Sequence, residues 1–193
     1  MIEHIKNFPK HIEGSLKDLK DHNLKLEEIS KVVIAGMGGS AIAGLILKDL
    51  FPEMDIVVER NYFPNTTIDE HTLVIVCSYS GNTEETLSYY DYAVRLTDHA
   101  TVLTTGGELL KKAKLDNISY HLLPKGYPPR SALGFSLTFL ISIFDKEGVS
   151  NIDIDCLKTF SKEAATKKSE VYALAKKIHK TMPIIVTEED LSD

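Results

Sequence analysis

Three serine and threonine hydroxyls lie within one short segment of this chain, the stretch SYSGNT at residues 78–83. Ser78, Ser80 and Thr83 carry these hydroxyls, and Gly81 between them permits a tight turn. A helix is expected to begin near Thr83, so unpaired backbone N–H groups join the hydroxyls at the same place. Such donors can bind a phosphate dianion without a lysine, each bond contributing roughly 1.5 to 3 kcal/mol.

Helix capping explains the same segment equally well. Thr83 or Asn82 would then be the N-cap residue, and Glu85 or Thr86 would support the first turn of the helix. The residue types alone leave the phosphate-site hypothesis and the capping hypothesis open.

A glycine-rich loop, GMGGS at residues 36–40, precedes another expected helix. Gly38 and Gly39 have no Cβ, so the backbone can approach a ligand closely, and Ser40 can cap the helix or bond a ligand oxygen. Taken alone, this loop is a weak indicator of a binding site, because short glycine patterns often arise by chance.

The same loop also fits the dinucleotide fingerprint GxGxxG/A, which here runs from Gly36 to Ala41. Glu59, about 20 residues further on at the end of a predicted strand, would then bind the ribose hydroxyls. A nicotinamide dinucleotide-binding Rossmann domain is therefore an alternative. Against it, the hydroxyl-rich segment 78–83 has no required role in dinucleotide binding.

Short apolar runs, most of them rich in β-branched residues, alternate with helical patterns along the chain. They predict strands at residues 32–35, 56–58, 73–77, 101–104 and 118–122, with helices at residues 40–50, 84–96 and 108–114. This alternation predicts a parallel sheet with helices on both faces. Both candidate loops then follow the carboxyl ends of strands, where ligands bind in parallel sheets.

Additional helices are expected at both ends of this core. Apolar residues at helical spacing predict a leading helix over residues 2–19, and a strongly charged helical pattern covers residues 155–180. Residues 131–144 are apolar on all sides, which predicts burial against the sheet or against a partner subunit. A homodimer is therefore expected. Residues 183–186 predict one more strand.

The 193-residue chain has 43% hydrophobic and 26% charged residues, an ordinary globular composition, and a formal net charge of -6. Because this charge does not attract nucleic acids or acidic membrane surfaces, neither is expected as a partner. No signal peptide or membrane span is evident, which predicts a cytoplasmic location. Cys77 and Cys156 are expected to be reduced structural thiols, and no His or Cys spacing indicates a metal site.

Taken together, GMGGSAIAG after the first strand, SYSGNTEET after the third and the later Pro-Pro-Arg stretch resemble the bifunctional phosphoglucose/phosphomannose isomerases. This family belongs to the sugar isomerase (SIS) superfamily, and the resemblance covers nearly the whole chain. It implies an α/β fold, a flavodoxin-like three-layer αβα sandwich with a five-stranded parallel sheet. It also implies a sugar phosphate ligand and no cofactor.

The resemblance assigns roles to individual residues. The sugar-contacting loop corresponds to Gly38, Gly39 and Ser40, the phosphate-binding loop to Ser78, Ser80 and Thr83, and the active-site arginine to Arg130. In such isomerases this arginine lies near C1 and C2 of the sugar, where a cation stabilises the charge of a cis-enediolate. The alternative for Arg130 is a surface arginine that follows a Pro-Pro turn.

The implied reaction is aldose–ketose isomerisation of glucose 6-phosphate or mannose 6-phosphate to fructose 6-phosphate. It requires a base and a second acid–base group, and the resemblance puts the family's glutamate, histidine and lysine beyond residues 183–186. We therefore expect residues 1–180 to form one SIS domain, residues 181–193 to begin a missing second one, and the chain to be catalytically incomplete. A non-catalytic sugar-phosphate sensor or regulatory subunit is the alternative.

Overall fold

The computed structural model describes residues 3–4, 7–18, 28–146, 159, 163, 166, 168–179 and 181. Its helices are α1 (Phe8–Asp18), α2 (Gly39–Leu50), α3 (Glu84–Ala93), α4 (Gly107–Leu115), α5 (Leu133–Lys146) and α6 (Lys168–Ile178). Its strands are β1 (Lys31–Gly36), β2 (Asp55–Glu59), β3 (Thr72–Ser78), β4 (Ala100–Thr104) and β5 (Ser119–Leu122), and a 3₁₀ turn covers Pro129–Ser131. No helix among these residues is long and apolar enough to cross a membrane.

All five strands form one parallel sheet with the order β2-β1-β3-β4-β5. Val33 of β1, for example, pairs with Val57 of β2 on one side and with Val74 of β3 on the other. Valine and isoleucine are frequent in β1 and β3, two of the three inner strands, where they fit a pleated surface that is covered on both faces. The predicted five-stranded parallel sheet is therefore confirmed.

Alternate residues of β1 face opposite layers of helices. Val32 and Ile34 pack in the core beneath α2 and α5, whereas Val33 and Ala35 pack in the core beneath α3 and α4. These four side chains are at most 1% exposed. Since successive side chains of a strand point to opposite faces, the chain forms the predicted three-layer αβα sandwich.

The apolar segment at residues 131–144 forms the end of the 3₁₀ turn and most of α5. Its large side chains are buried against the sheet and its neighbouring helices: Phe135, Phe139, Leu140, Ile141, Ile143 and Phe144. Helix α5 packs on α2 and on α1. Burial within the chain therefore explains the apolar character of this segment, without a partner subunit.

One difference from the sequence pattern concerns the end of a helix. Helix α3 ends at Ala93, whereas the pattern predicts a helix that continues to Leu96. Leu96 is 49% exposed, so little apolar burial favours a further turn. Helix α6 represents the predicted trailing helix, while Cys156 and the strand over residues 183–186 lie outside the described residues.

Candidate functional site

The two candidate loops lie at the point where the strand order reverses. From β1 the chain crosses to the edge strand β2, returns past β1 to β3, and continues outward to β4 and β5. The loops after β1 and β3 therefore leave adjacent strands in diverging directions, which opens a crevice at the carboxyl edge of the sheet. Gly36 and Cys77, near the ends of these two strands, are paired in register.

Ser78 organises the hydroxyl-rich loop from within. Its side chain is 3% exposed, and its Oγ accepts a hydrogen bond from the Gly81 N–H at 3.1 Å. The same Oγ lies 3.0 Å from Thr83 Oγ1. Thr83 is the N-cap residue of α3, but its side chain makes no capping hydrogen bond. The Thr83 hydroxyl therefore closes the loop. The alternative that the Thr83 side chain caps α3 is wrong.

Ser80 supplies the exposed hydroxyl of this loop. Its Oγ accepts the Asn82 N–H at 3.2 Å, which leaves the hydroxyl hydrogen for a ligand oxygen. The Asn82 side chain turns toward the next helix, where its Oδ1 accepts the Glu108 N–H at 3.0 Å. Asn82 thus bonds the first turn of α4 and leaves its own helix without a side-chain cap.

A third loop, at Gly106 and Gly107 after β4, locks the hydroxyl-rich loop in place. A Cβ at Gly81 would overlap the Gly106 carbonyl oxygen, and a Cβ at Gly107 would lie 2.5 Å from the Ser80 carbonyl oxygen. The Leu109 N–H of α4 also donates to the Gly81 carbonyl at 2.9 Å. Sequence reasoning missed this loop, although a glycine pair between a strand and a helix was the available signal.

The glycine-rich loop after β1 contacts the segment that carries Arg130. A Cβ at Gly39 would lie 3.3 Å from the Pro129 carbonyl oxygen and 3.6 Å from Arg130 Cα, so the two backbones touch. Gly38, the N-cap residue of α2, has a φ of +53°, and no side chain caps this helix. Ser40 lies half-buried in the first turn of α2.

Arg130 itself lies in the 3₁₀ turn that precedes α5. Its side chain is exposed, and no carboxylate of the described residues forms an ion pair with it. The guanidinium donors are therefore available to a ligand. Although Arg130 and Gly39 are far apart in sequence, the packing of α5 beside α2 brings them together.

One further cation lies at this edge of the sheet. The Lys125 Nζ is 3.5 Å from the position that a Cβ on Gly106 would occupy. Gly106 contacts Gly81 of the hydroxyl-rich loop, so the ammonium group lies one loop away from the candidate phosphate site. Sequence reasoning missed Lys125, because only the packing of two separate loops brings it here.

Glu59 has a structural role at the end of β2. The carboxylate accepts the N–H groups of Asn65 and Thr66, both at 2.9 Å, and the Asn61 Nδ2 at 3.3 Å. The side chain is 4% exposed, so these bonds hold the turn after β2 and leave little access for a ribose. The dinucleotide alternative therefore loses the residue that was to bind the ribose.

The carboxyl edge of the sheet thus carries hydrogen-bond donors suited to an oxyanion and, in the turn before α5, a cation. The donors are the Ser80 hydroxyl and the N-terminus of α3, whose dipole is positive toward the crevice. The cation is Arg130. No group of three or more His, Cys, Asp or Glu side chains in the described part of the chain converges as metal ligands would.

No family model matches the sequence, but the fold has counterparts among solved structures. The C-terminal domain of glucosamine-fructose-6-phosphate aminotransferase from Francisella tularensis has a TM-score of 0.60 at 13% identity, covering 93% of this chain and 59% of that chain. Tagatose-6-phosphate ketose/aldose isomerase from Escherichia coli has a TM-score of 0.59 at 17% identity, covering 92% and 53%. The fold is that of a SIS domain.

Curated relatives define the family in more detail. The bifunctional phosphoglucose/phosphomannose isomerase of Caldicellulosiruptor bescii is 35% identical over 201 residues, covering 96% of this chain and 59% of the relative. The enzyme of the same name from Thermoplasma volcanium is 37% identical over 69% of this chain and 42% of its own length. D-glucosamine-6-phosphate 4-epimerase from Sulfolobus acidocaldarius is 32% identical, covering 82% and 52%.

The chain belongs to the bifunctional phosphoglucose/phosphomannose isomerase family. It spans between 42% and 59% of the length of the first two of these relatives. The resemblance on which the seven site residues rest is therefore confirmed at the level of the family.

Proposed function

We propose that this chain binds a phosphorylated hexose in the crevice between the loops that follow β1 and β3. The phosphate lies in the hydroxyl-rich loop, against Ser80 and the N-terminus of α3, and the sugar extends past Gly39 toward Arg130. The observation that carries the proposal is the backbone contact between Gly39 and the Arg130 turn. This contact supports a ligand that reaches from the hydroxyl-rich loop to Arg130.

The phosphate site depends on local donors, because the chain as a whole is acidic. Glu84 and Glu85 stand in the first turn of α3, where their charge would oppose an anion if they faced the loop. Glu85 lines a pocket together with Glu59, Arg60 and Asn61, at and after the end of β2. Glu84 and Glu85 also raise the pKa of the exposed Tyr62 hydroxyl in the segment after β2. The hydroxyl-rich loop, on the β4 side of the same helix, remains suited to the phosphate.

The names of the relatives support the class of ligand. They name phosphoglucose, phosphomannose and D-glucosamine 6-phosphate, which are all phosphorylated hexoses. Their reactions differ, since two are isomerisations and one is an epimerisation at C4. The named substrates of these relatives therefore have in common that each is a phosphorylated hexose. A phosphorylated hexose is the ligand proposed for this chain.

In an aldose–ketose isomerisation, Arg130 would stabilise the negative charge of the cis-enediolate that forms between C1 and C2. A base must also carry the proton between these two carbons. Glu84 and Glu85 flank the phosphate end of the crevice, which is a poor position from which to reach C1 and C2. We therefore propose that the chain binds the hexose phosphate with little turnover, and a sensor or regulatory subunit would require this binding alone.

Ser80→Ala tests the proposed phosphate site. Losing one hydrogen bond to a charged oxygen costs about 1.5 to 3 kcal/mol, so we expect affinity for glucose 6-phosphate to fall roughly tenfold to a hundredfold. Ser119→Ala is the matched control, because Ser119 is an exposed serine on the edge strand β5. Titration calorimetry of both variants measures the difference.

A thermal-shift measurement on the wild-type protein compares glucose 6-phosphate, mannose 6-phosphate, fructose 6-phosphate and NAD. A ligand that binds the folded protein raises its melting temperature. We expect the hexose phosphates to raise the melting temperature. Stabilisation by NAD alone would contradict the proposal. Equal affinities of the Ser80→Ala and Ser119→Ala variants for glucose 6-phosphate would remove the phosphate assignment.

The homodimer and the cytoplasmic location expected from the sequence remain predictions. With α5 buried in its own chain, the support for self-association comes from exposed apolar side chains on β5. Tyr120 and Leu122 of this edge strand are 42% and 51% exposed. Such an edge, with unpaired backbone groups beside apolar side chains, favours pairing with another chain.

A further inference from the structure

The Tyr79 hydroxyl joins the hydroxyl-rich loop to a distant part of the chain. It donates a hydrogen bond to the Pro124 carbonyl at 2.8 Å and accepts one from the Tyr127 N–H at 3.0 Å. One phenol thus uses both its donor and its acceptor capacity on the same short segment. Tyr79 stands between Ser78 and Ser80, so any displacement of the phosphate loop would be transmitted to this segment.

The segment that Tyr79 holds leads directly to the arginine turn. Residues 124–127 carry Lys125 and run into the Pro129–Ser131 turn, which contacts Gly39. The segment is also attached to α5, because the Tyr127 ring packs edge-on against Phe135, with ring centroids 5.0 Å apart. The Tyr127 ring fixes the segment to α5, and the Tyr79 hydroxyl fixes it to the phosphate loop.

The environment of Tyr79 suits a permanent clamp. Its side chain is half-buried and packs against the core beneath α5. Burial raises the pKa of its hydroxyl above the ordinary value. The phenol therefore remains protonated, and the bond to the Pro124 carbonyl is kept, over the whole neutral range.

We propose that Tyr79 is a positioning residue that sets the distance between the phosphate loop and Arg130. The proposal rests on the proposed function, because the distance matters only for a ligand that touches both ends of the crevice. A hexose phosphate is such a ligand, whereas inorganic phosphate occupies the phosphate loop alone. Holding the two ends in place before binding lowers the ordering cost that the longer ligand must overcome.

Tyr79→Phe removes the clamp and keeps the aromatic ring. The substitution removes both hydrogen bonds of the hydroxyl, so part of the ordering of the segment must then be supplied by binding. We expect the affinity for glucose 6-phosphate to fall about threefold to tenfold, with no change for inorganic phosphate. Tyr120→Phe is the matched control, since Tyr120 is a half-exposed tyrosine on β5. Titration calorimetry with each ligand separates a positioning role from general damage, because damage to the phosphate loop would weaken both ligands.

A double-mutant cycle tests the link to the arginine. In an Arg130→Ala background, the clamp has no guanidinium left to position, so adding Tyr79→Phe should weaken glucose 6-phosphate binding no further. Hydrogen exchange gives a readout that needs no ligand. The Tyr127 amide should exchange faster in Tyr79→Phe than in the wild type, and at the wild-type rate in Tyr120→Phe.

Three results would overturn the proposal: unchanged glucose 6-phosphate affinity in Tyr79→Phe, equal losses for both ligands, or additive effects in the cycle. If the wild type binds neither ligand, the proposed function fails instead. In that case the exchange rate of the Tyr127 amide still decides whether the clamp exists, and an unchanged rate would exclude it.

Discussion

At the scale of single residues, the hydroxyl-rich loop depends on the missing side chain of Gly81. Its φ of +69° is in the left-handed region, and the Gly106 carbonyl occupies the space where a Cβ would stand. The loop therefore keeps its shape through backbone contacts with the loop after β4, and Ser80 remains exposed to the crevice. The proposed phosphate site therefore depends on the shape of this loop, because the chain as a whole is acidic.

Gly81→Ala should abolish the site. We expect a loss of about 2 kcal/mol or more in the free energy of unfolding, from left-handed backbone strain and the clash with Gly106, together with loss of hexose phosphate binding. Gly14→Ala is the control, because Gly14 lies in α1 with open space around it. This control should stabilise the protein by roughly 0.5 to 1 kcal/mol. Urea denaturation measures both, and a stable Gly81→Ala protein that still binds glucose 6-phosphate would contradict the loop geometry.

At the scale of elements, α1 is joined to α5 through an aromatic cluster around His11. The imidazole is 3% exposed and stacks on Phe135, with a centroid distance of 4.5 Å and an interplanar angle of 22°. Burial, and then the charge of His4, lower its pKa below 6.5, while a backbone group of Ser131 opposes the shift. The docking of the leading helix therefore favours the neutral imidazole.

This lowered pKa makes stability depend on pH. Below pH 6.5 the unfolded chain binds a proton at His11 that the folded chain does not yet bind, so the free energy of unfolding should fall as the pH drops from 6.5 toward the folded pKa. His11→Phe should remove this part of the pH dependence, whereas the exposed His179→Gln should not. Urea denaturation at pH 7.5 and pH 5.5 checks the slope. An unchanged slope in His11→Phe would exclude the imidazole as its source.

At the scale of the whole molecule, the sheet order brings together the three loops and one turn of the candidate site. The loops follow β1, β3 and β4, and the turn of Arg130 reaches them because α5 packs on α2. The chain also spans 59% of the length of the Caldicellulosiruptor bescii relative. Binding of a hexose phosphate and its isomerisation are for this reason tested separately.

Turnover by the chain is tested with a coupled assay of fructose 6-phosphate formation from glucose 6-phosphate or mannose 6-phosphate. Because the carboxylates at the crevice are poorly placed as bases, we expect little or no product above the blank. Arg130→Ala should nevertheless weaken binding of the hexose phosphate. The control is Arg95→Ala, an exposed arginine that follows α3. Robust turnover that Arg130→Ala abolishes and Arg95→Ala leaves intact would contradict catalytic incompleteness.

The sequence by itself determined the strands, the helices between them and the two loops after β1 and β3. Apolar periodicity and glycine placement are local properties of the chain, so they can be read before any contact is known. The family was also accessible at this level, since its motifs are contiguous. Ser80 and the glycines of residues 36–40 could therefore be named as candidates.

Only the tertiary structure decided which side chains meet. The Thr83 hydroxyl bonds Ser78 and makes no capping hydrogen bond to α3, and Glu59 holds a turn. Tyr79 reaches a segment 45 residues away. The bonds of Thr83 and Glu59 are local, but they depend on the backbone path of a loop and a turn, which residue types alone do not fix. The bond of Tyr79 depends on sheet order and helix packing, which bring together groups that no spacing in the chain relates. Arg130 was identified from its motif, but its place beside Gly39 follows from the packing of α5 on α2.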